Sequence, residues 1–282
     1  MDDVFNEQSF WECFLRYENH SSLKKDLVSV YRVIDSTNTE LMRRVQAAGC
    51  DGLTGMHRMV VAAASQTAGK GRVGRVFYSP EKTGIYFSFL YVPDAGVTEP
   101  ATYTVASVVG VCRAIESLYH VKTQIKWVND IYVHGKKVCG ILTEGVFNAE
   151  HSAVDGVVVG IGINIETDDS MPEALRRKAG GIICNGSGSD GTEFRVSRAE
   201  LLACCMHEIY AILDGGLDFM SDYKARFMHA GKTVTVSPLI GDNGCSYEAV
   251  AVGVTDDAGL QVRLADGTER VLHTGEVSLH DM

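Results

Sequence analysis

The sequence predicts an α+β fold, in which a mixed β-sheet backed by helices precedes a small β-barrel. Apolar runs of strand length alternate with helical patterns up to about residue 230, and only short strands separated by turns follow. A chain of 282 residues is long enough for one large domain and one small domain. We therefore expect a first domain at residues 1–230 and a second domain at 231–282.

Hydrophobic periodicity predicts the individual elements. Strands are expected at 59–64, 84–92, 138–144 and 155–165, and helices at 102–119, 197–213 and 217–229. Residues 124–133 also carry a strand pattern, which Asn129-Asp130 breaks. A further helix is expected to begin at Ser36 or Thr37, either of which is a natural N-cap, with Glu40 closing a capping box. The predicted barrel consists of strands at 233–237, 247–254, 260–264, 270–273 and 276–279, and a Gly/Ser-rich loop is expected at 180–192.

Composition and charge argue against several classes of protein. The net charge of −10 is unlike that of a protein that binds nucleic acid through a basic face. No apolar run reaches the roughly 18 residues that span a bilayer, and the N-terminus lacks the order of a signal peptide. The eight cysteines form no CxxC pair and the nine histidines form no HExxH motif. We expect a cytoplasmic protein with no membrane partner and no protein-ligated transition metal.

The most informative stretch is a basic, glycine-rich loop at residues 65–80 between two predicted strands. Within it lie three glycines and three cations, and no carboxylate: Gly69, Lys70, Gly71, Arg72, Gly74 and Arg75. Glycines let backbone N–H groups approach an anion, and the clustered positive charge would repel itself without one. The loop therefore indicates a binding site for phosphate and carboxylate groups.

Other interpretations of this loop are weaker. A basic glycine-rich loop between strands can be a plain solvated hairpin. The three glycines also spell GxGxxG, but the dinucleotide-binding fingerprint needs a helix directly after them, and here a second strand pattern follows. No GxxxxGK[ST] motif occurs, which excludes a P-loop.

Three further segments carry polar residues in unusual positions. Residues 36–38 (Ser-Thr-Asn) can cap a helix or anchor a polar ligand head. Lys126 interrupts an apolar run, where its charge is costly unless it reaches solvent or meets an anion. The following Asn129-Asp130 pair suits either a turn or the oxygen ligands of Mg²⁺.

Glycines within the later strands point to a close approach of another group. Gly140, Gly160 and Gly162 leave one strand face bare, as a flat ligand or a tightly packed helix would require. Asn164 ends the last of these strands with an amide that could contact an adenine or ribose edge.

Together these segments resemble a biotin protein ligase from about Val33 to the C-terminus. The motifs are Asp-Ser-Thr-Asn at 35–38, Gln66 with GKGRVGR at 69–75, KWVND at 126–130, KKVCGIL at 136–142 and GIGIN at 160–164. The family implies a catalytic domain like that of class II aminoacyl-tRNA synthetases and a C-terminal SH3-like barrel. It also implies two half-reactions. The biotin carboxylate attacks the α-phosphate of ATP to give biotinoyl-5′-AMP, and a lysine of a biotin carboxyl carrier domain then attacks this adenylate.

The resemblance implies roles for individual residues. Those expected to bind biotin are Ser36, Thr37, Asn38, Gln66, Gly69, Lys70, Gly71, Arg72, Tyr86, Lys137, Gly140 and Gly160. Those expected to bind ATP are Arg72, Arg75, Phe77, Lys126, Asn129 and Asn164, with Asp130 as the candidate Mg²⁺ ligand. Arg72, Lys126 and Lys137 are expected to be catalytic, because two anions must be aligned and their charge neutralised.

Three positions depart from the usual family pattern without removing a reacting group. Lys70 replaces an arginine and so loses the bidentate fork, Phe77 replaces a tryptophan, and Val128 replaces a proline. The residues before Val33 are too few for a winged helix-turn-helix. The resemblance therefore implies a stand-alone ligase without a nucleic-acid partner, acting as a monomer or a homodimer.

Two rival functions remain to be separated from this one. A lipoate or octanoate ligase shares the fold and the adenylate chemistry, but would lack the GKGR loop ahead of a KWxND segment. A non-catalytic biotin-binding or regulatory protein would not need cations for a triphosphate. Biotin-dependent exchange of labelled pyrophosphate into ATP distinguishes all three.

Overall fold

A seven-stranded mixed sheet forms the centre of the structure, a computed structural model that describes residues 3–17, 23–97, 99–150, 152–167, 171–183, 196–215, 218–237 and 245–279. Its strands are β1 (Val28–Ile34), β2 (Val60–Gln66), β3 (Gly84–Tyr91), β4 (Gln124–Lys126), β5 (Asp130–Val133), β6 (Lys136–Asn148) and β7 (Ala153–Asn164). Their spatial order is β1-β2-β3-β7-β6-β5-β4. β1 and β2 run parallel and the other neighbours run antiparallel, which confirms the predicted mixed sheet.

Helices cover the two faces of this sheet unequally. Those in the described ranges are α1 (Glu7–Phe14), α2 (Thr37–Gly52), α3 (Pro100–Tyr119), α4 (Glu173–Arg176), α5 (Arg198–Gly215) and α6 (Met220–Arg226). Side chains alternate along a strand, so Phe87, Val159 and Ile163 point into a core with α3 and α5. On the opposite face, Leu41 and Val45 of α2 cover only part of the sheet. The rest of that face carries the glycines of β6 and β7 and opens into a cavity.

A second, antiparallel sheet follows near the C-terminus. Its strands are β8 (Thr233–Ser237), β9 (Tyr247–Val254), β10 (Leu260–Arg263), β11 (Glu269–Leu272) and β12 (Glu276–Leu279), in the order β11-β10-β9-β8-β12. All five predicted C-terminal strands are confirmed to within a residue or two. The Trp127 indole N–H donates to the Ala258 carbonyl at 2.8 Å, and one buried apolar cluster includes residues of both sheets. The domain boundary near residue 230 stays a prediction.

The break expected at Asn129-Asp130 is confirmed: residues 124–133 form a hairpin of β4 and β5, in which Lys126 pairs with Asp130 across a turn. The structure corrects two other predicted elements. The helix expected at 217–229 is limited to Met220–Arg226, and residue 217 lies outside the described residues. Of the loop expected at 180–192, residues 180–183 run beside the end of β7, where the Ile183 N–H donates to the Ile165 carbonyl at 2.8 Å. Residues 184–192 lie outside the described residues.

The predicted capping box at the start of α2 does not form. The Ser36 N–H donates to Asp35 Oδ1 at 2.7 Å instead of to Glu40. The Glu40 carboxylate pairs with Arg43 and Arg44, both at 3.0 Å. Arginines one turn along the helix compete for this carboxylate, so Ser36 alone caps the helix.

Within the described ranges, no helix combines the length and apolarity needed to cross a membrane. The six cysteines whose side chains are described form no disulfide: Cys13, Cys112, Cys139, Cys204, Cys205 and Cys245. Burial raises the pKa of the Cys112 thiol to about 12, so this thiol serves packing rather than chemistry.

Candidate active site

A cavity of about 660 Å³ opens where the N-terminus of α2 meets the glycine-bearing face of β6 and β7. The loop between β2 and β3 forms one wall, and the segment around α4 forms another. The backbone of Lys137 holds that second segment: its N–H donates to the Lys178 carbonyl at 2.9 Å, and its carbonyl accepts from Gly180 at 3.0 Å. Ser237 and Val277 of the second sheet also line the cavity.

Most residues that the sequence assigned to the site line this one cavity. They are Ser36, Thr37, Asn38, Gln66, Lys70, Gly71, Arg72, Arg75, Phe77, Lys126, Asn129, Asp130, Lys137, Gly140, Gly160 and Asn164. They come from five sequence motifs on different elements. In particular, Arg72, Lys126 and Lys137 share the cavity instead of lying on unrelated surfaces.

Two assigned residues, Gly69 and Tyr86, do not line the cavity. A Cβ at Gly69 would lie 2.5 Å from the Phe77 carbonyl oxygen, so this glycine permits the loop to fold back on itself. Tyr86 is fully buried, and its hydroxyl donates to the Pro80 carbonyl at 3.1 Å. Its ring meets Phe77 edge-on at 6.2 Å between centroids. Tyr86 therefore supports the loop, and its expected contact with biotin stays a prediction.

The α2 end of the cavity is a hydrogen-bond network formed by the protein itself. The backbone N–H and the hydroxyl of Thr37 both donate to Gln66 Oε1, at 2.9 and 3.2 Å. Gln66 Nε2 donates to Ser79 Oγ at 2.9 Å. Ser36, Thr37 and Asn38 are only 2–3% exposed, so folding fixes their positions. The positive end of the α2 dipole also faces this region.

The strand glycines form the floor of the cavity, but side chains cover part of it. A Cβ at Gly160 would lie 1.9 Å from Asn38 Oδ1, and one at Gly162 would lie 2.5 Å from the Phe77 ring. At Gly140 the Phe77 ring would be 3.2 Å away. The expectation of a bare strand face is therefore corrected: the missing side chains make room for Asn38 and Phe77.

The basic loop is tied to the opposite wall through Arg72. Its Nη1 donates to Asn129 Oδ1 at 3.0 Å, and Asn129 Nδ2 donates to the Ile141 carbonyl at 2.7 Å. Its Nη2 lies 3.5 Å from the Gly275 carbonyl of the second sheet. Asn129, which the sequence assigned to the adenine, thus uses both ends of its amide to hold Arg72 against β6.

Lys137 and Asp130 form an ion pair at the edge of the floor, with 2.7 Å between Nζ and Oδ1. This carboxylate oxygen is buried, and no hydrogen bond of good geometry reaches it. A buried oxygen of this kind suits a cation, and the ammonium of Lys137 supplies one. The described residues contain no group of three or more His, Cys, Asp or Glu side chains that could hold a metal. Asp130 therefore fits Mg²⁺ only as one ligand among phosphate oxygens and waters.

The cavity is strongly cationic in a chain whose net charge is −10. Among the described lining residues, one carboxylate (Asp130) faces six cations: Lys70, Arg72, Arg75, Lys126, Lys137 and Lys178. Nearby, burial together with the charges of Lys126 and Lys232 lowers the pKa of His229 to about 4. Such a concentration of one sign in a concave site attracts anionic ligands.

Three candidate residues were not found from the sequence. Ser88 of β3 is fully buried, and its hydroxyl lies 2.7 Å from Thr37 Oγ1 and 2.5 Å from Asn38 Oδ1. Glu144 of β6 accepts a hydrogen bond from Asn38 Nδ2 at 2.7 Å. Lys178 follows α4. None of these residue types indicates a site from the sequence alone. The order of the strands brings Ser88 and Glu144 to α2, and the position of the segment after α4 brings Lys178 to the cavity.

Comparison with known proteins finds similarity to a described family. Residues 30–164 match the model of the biotin/lipoate A/B protein ligase family. The bifunctional ligase/repressor BirA of Bacillus spizizenii is 42% identical over 218 residues, which cover 75% of this chain and 63% of that protein. The biotin–[acetyl-CoA-carboxylase] ligase of Mycobacterium tuberculosis is 28% identical over 249 residues, which cover 86% of this chain and 85% of that protein.

Solved structures show the same fold. The biotin protein ligase of Aquifex aeolicus, in complex with biotin and ATP, superposes with a TM-score of 0.69 at 23% identity. The match covers 90% of this chain and 99% of that one. The chain spans less than two thirds of the Bacillus relatives that it matches: 63% of BirA from Bacillus spizizenii and 36% of BirA from Bacillus subtilis.

Proposed function

Since the chain belongs to the biotin protein ligase family, we propose that it is an ATP-dependent biotin–protein ligase. The enzyme activates biotin as biotinoyl-5′-AMP and transfers the biotinoyl group to a lysine of a biotin carboxyl carrier domain, of the acetyl-CoA carboxylase type. One observation carries this proposal: a single cavity joins a neutral polar network to Arg72, Lys126 and Lys137.

The neutral head of biotin fits the α2 end of the cavity. A ureido ring presents two N–H donors and one carbonyl acceptor, so its site needs both kinds of partner. Ser36, Thr37, Asn38 and Gln66 supply hydroxyl and amide groups there, and all four line the cavity. Because this end is uncharged, the ring binds there and directs its acid tail toward the basic loop.

The cations serve the first half-reaction. A carboxylate oxygen bonds to the α-phosphorus of ATP while the bond from that phosphorus to the bridging oxygen breaks, and pyrophosphate leaves with the electron pair. Both reactants are anions, so their approach is opposed unless nearby charge compensates. In this proposal Lys70 and Arg72 receive the carboxylate and Arg75 and Lys126 receive the phosphates, and all four residues line the cavity. Catalysis here consists of alignment and charge neutralisation.

Lys137 serves the second half-reaction in this proposal. The amine of the acceptor lysine attacks the carbonyl carbon of the adenylate, AMP leaves with the electrons of the C–O bond, and the amine loses a proton. An ammonium at the carbonyl and phosphate oxygens stabilises the negative charge that develops there. The ion pair with Asp130 keeps Lys137 positioned at the floor.

The observed contacts also support a role for Asn129, which acts on the reaction by orienting Arg72, with Asn164 left as the amide that faces the adenine. Asp130 would be the protein ligand of a Mg²⁺ bound with the triphosphate, and the ion would supply further neutralisation of phosphate charge.

Several expectations remain proposals alongside the activity. They are a catalytic domain at 1–230, an SH3-like barrel at 231–282, a cytoplasmic location, the absence of a nucleic-acid partner and an arrangement as monomer or homodimer. The antiparallel order of β8 to β12 supports the barrel. The acidic net charge supports the absence of nucleic-acid binding, and affinity for DNA tighter than micromolar at physiological salt would contradict it.

The proposed activity is tested by exchange of labelled pyrophosphate into ATP. Purified protein should catalyse exchange when biotin is present and not when lipoate or octanoate replaces it. Addition of a carrier domain should then yield a biotinylated lysine, detected by mass spectrometry. Exchange supported by lipoate instead would assign the chain to the lipoate ligases, and biotin binding without any exchange would leave a binding protein.

A further inference from the structure

Glu144 contacts two residues of the cavity wall without lining the cavity itself. Its Oε2 accepts a hydrogen bond from Asn38 Nδ2 at 2.7 Å, and its Oε1 lies 3.8 Å from Lys70 Nζ. We propose that Glu144 is a positioning residue of the biotin site, which acts by fixing the amide of Asn38. The inference rests on the proposed function, since its expected effect is on biotin binding.

The contact with Asn38 outweighs the contact with Lys70. The Lys70 side chain is 45% exposed and 3.8 Å away, and ion pairs of this kind contribute little in water. Asn38 is only 3% exposed, and its bond to the carboxylate is short and charge-assisted. Removal of Glu144 would leave a buried amide N–H without its partner, which costs more than a lost surface pair.

Glu144 also fixes the orientation of the Asn38 amide group. An ionised carboxylate only accepts hydrogen bonds, so it must face the amide nitrogen. The amide oxygen is then directed to the Ser88 hydroxyl, 2.5 Å away, and over Gly160. The second hydrogen on Nδ2 remains as a donor on a side chain that lines the cavity. With Glu144 in place, the amide has one orientation, and an acceptor such as a ureido carbonyl meets a preset donor.

Direct measurement of biotin binding by calorimetry tests this role. Glu144→Ala should weaken biotin binding by about tenfold, because the Asn38 amide loses its charged acceptor. Glu144→Gln should bind within about threefold of wild type, because the new amide oxygen can still accept from Asn38. The KM for ATP, and kcat at saturating biotin, should stay within about twofold in both variants. Glu81→Ala serves as the control, since Glu81 is an exposed glutamate that pairs with a cation, Arg32, outside the cavity.

A double-mutant cycle with Asn38→Ala separates this role from a purely structural one. If Glu144 acts through Asn38, Glu144→Ala should cause no further loss of biotin affinity in the Asn38→Ala background. Full additivity of the two losses would overturn the proposal, as would a Gln variant as weak as the Ala variant. Circular dichroism and unfolding midpoints identify any variant that fails to fold, and the Gln variant then carries the test. Wild-type protein that binds no biotin would refute the proposed function itself, whereas wild-type affinity in folded Glu144→Ala would refute only the role of Glu144.

Discussion

The two ends of the cavity differ in how far the protein satisfies its own polar groups. At the α2 end, Thr37 and Asn38 are buried and Gln66 is half-buried, and their side chains form hydrogen bonds of 2.5–3.2 Å within the protein. At the cationic end, Asn129 and Asp130 hold Arg72 and Lys137, but the Lys70 side chain is 45% exposed and its ion pair is 3.8 Å long. Lys178 is likewise exposed. Folding therefore fixes the α2 end, whereas part of the charge at the cationic end is presented to an incoming ligand.

This difference separates binding from catalysis. A preorganised polar end selects a neutral head at little further entropic cost. A cationic end stabilises charge that is greatest in the transition state, so it raises the rate more than the affinity. Substitutions at the α2 end should change the affinity for biotin, and substitutions at the cationic end should change the rate of adenylate formation.

The largest effect is expected for Arg72→Ala. Removal of this guanidinium should raise the barrier to adenylate formation by about 2–4 kcal/mol, by analogy with the loss of an oxyanion-hole donor. Pyrophosphate exchange at saturating ATP should report this loss, while the dissociation constant of biotin changes by less than about tenfold. Arg32→Ala, which removes an exposed arginine outside the cavity, is the matched control. If the loss of biotin affinity equalled the loss of rate, Arg72 would belong to the binding end and the comparison would break down.

The next effect is expected at the floor of the α2 end. A Cβ at Gly160 would lie 1.9 Å from Asn38 Oδ1, so Gly160→Ala must displace Asn38 from the network. Overpacking of this kind destabilises a folded protein by about 1–3 kcal/mol, and the displacement of Asn38 should in addition weaken biotin binding in calorimetry. Gly145→Ala on β6 is the control, because its new Cβ would come no closer than 3.2 Å to a Val154 methyl group. Equal behaviour of the two variants would show that Asn38 is not fixed as the structure has it.

The smallest effect is a pH dependence of stability from His229, which is buried and lies near Lys126 and Lys232. The folded pKa of His229 is about 4, below its usual 6.5, so the unfolded chain binds a proton between these values that the folded chain does not. Stability should therefore fall as the pH drops from about 6.5 to about 4, with about 1–2 kcal/mol of the loss due to His229 at pH 5.

Urea unfolding at pH 7 and pH 5 isolates this contribution when wild type is compared with His229→Phe. Carboxylates also titrate in this range, but they are common to both proteins. Phe retains an aromatic ring beside Phe227, whose ring lies 5.8 Å from that of His229. The variant should lose less stability on acidification than wild type. An equal loss would mean that His229 is protonated in the folded state at pH 5.

The sequence predicted the cationic end better than the α2 end. Lys70, Arg72 and Arg75 cluster within one loop, so their charge is evident without knowledge of the fold. The network at α2 depends on contacts between residues 50 and 106 positions apart, namely Ser88 and Glu144 with Asn38. Such pairs exist only because the sheet order places β3, β7 and β6 side by side beneath α2.

Competing contacts with nearby side chains explain the other differences between the predicted and the observed structure. Glu40 was expected to close a capping box, but arginines one turn along the same helix attract its carboxylate. Tyr86 alternates onto the cavity face of β3, but the Phe77 ring lies over the strand glycines and separates Tyr86 from the cavity. Periodicity identifies the face of a strand and not the side chain that later covers it.

The division of labour within the cavity is tested most directly by Lys126→Ala, assayed for biotin-dependent pyrophosphate exchange and, separately, for biotin binding. Exchange should fall about as far as in Arg72→Ala, while the dissociation constant of biotin stays within about tenfold of wild type. Loss of both to the same extent would place Lys126 among the groups that hold biotin, and would contradict the separation of a binding end from a catalytic end.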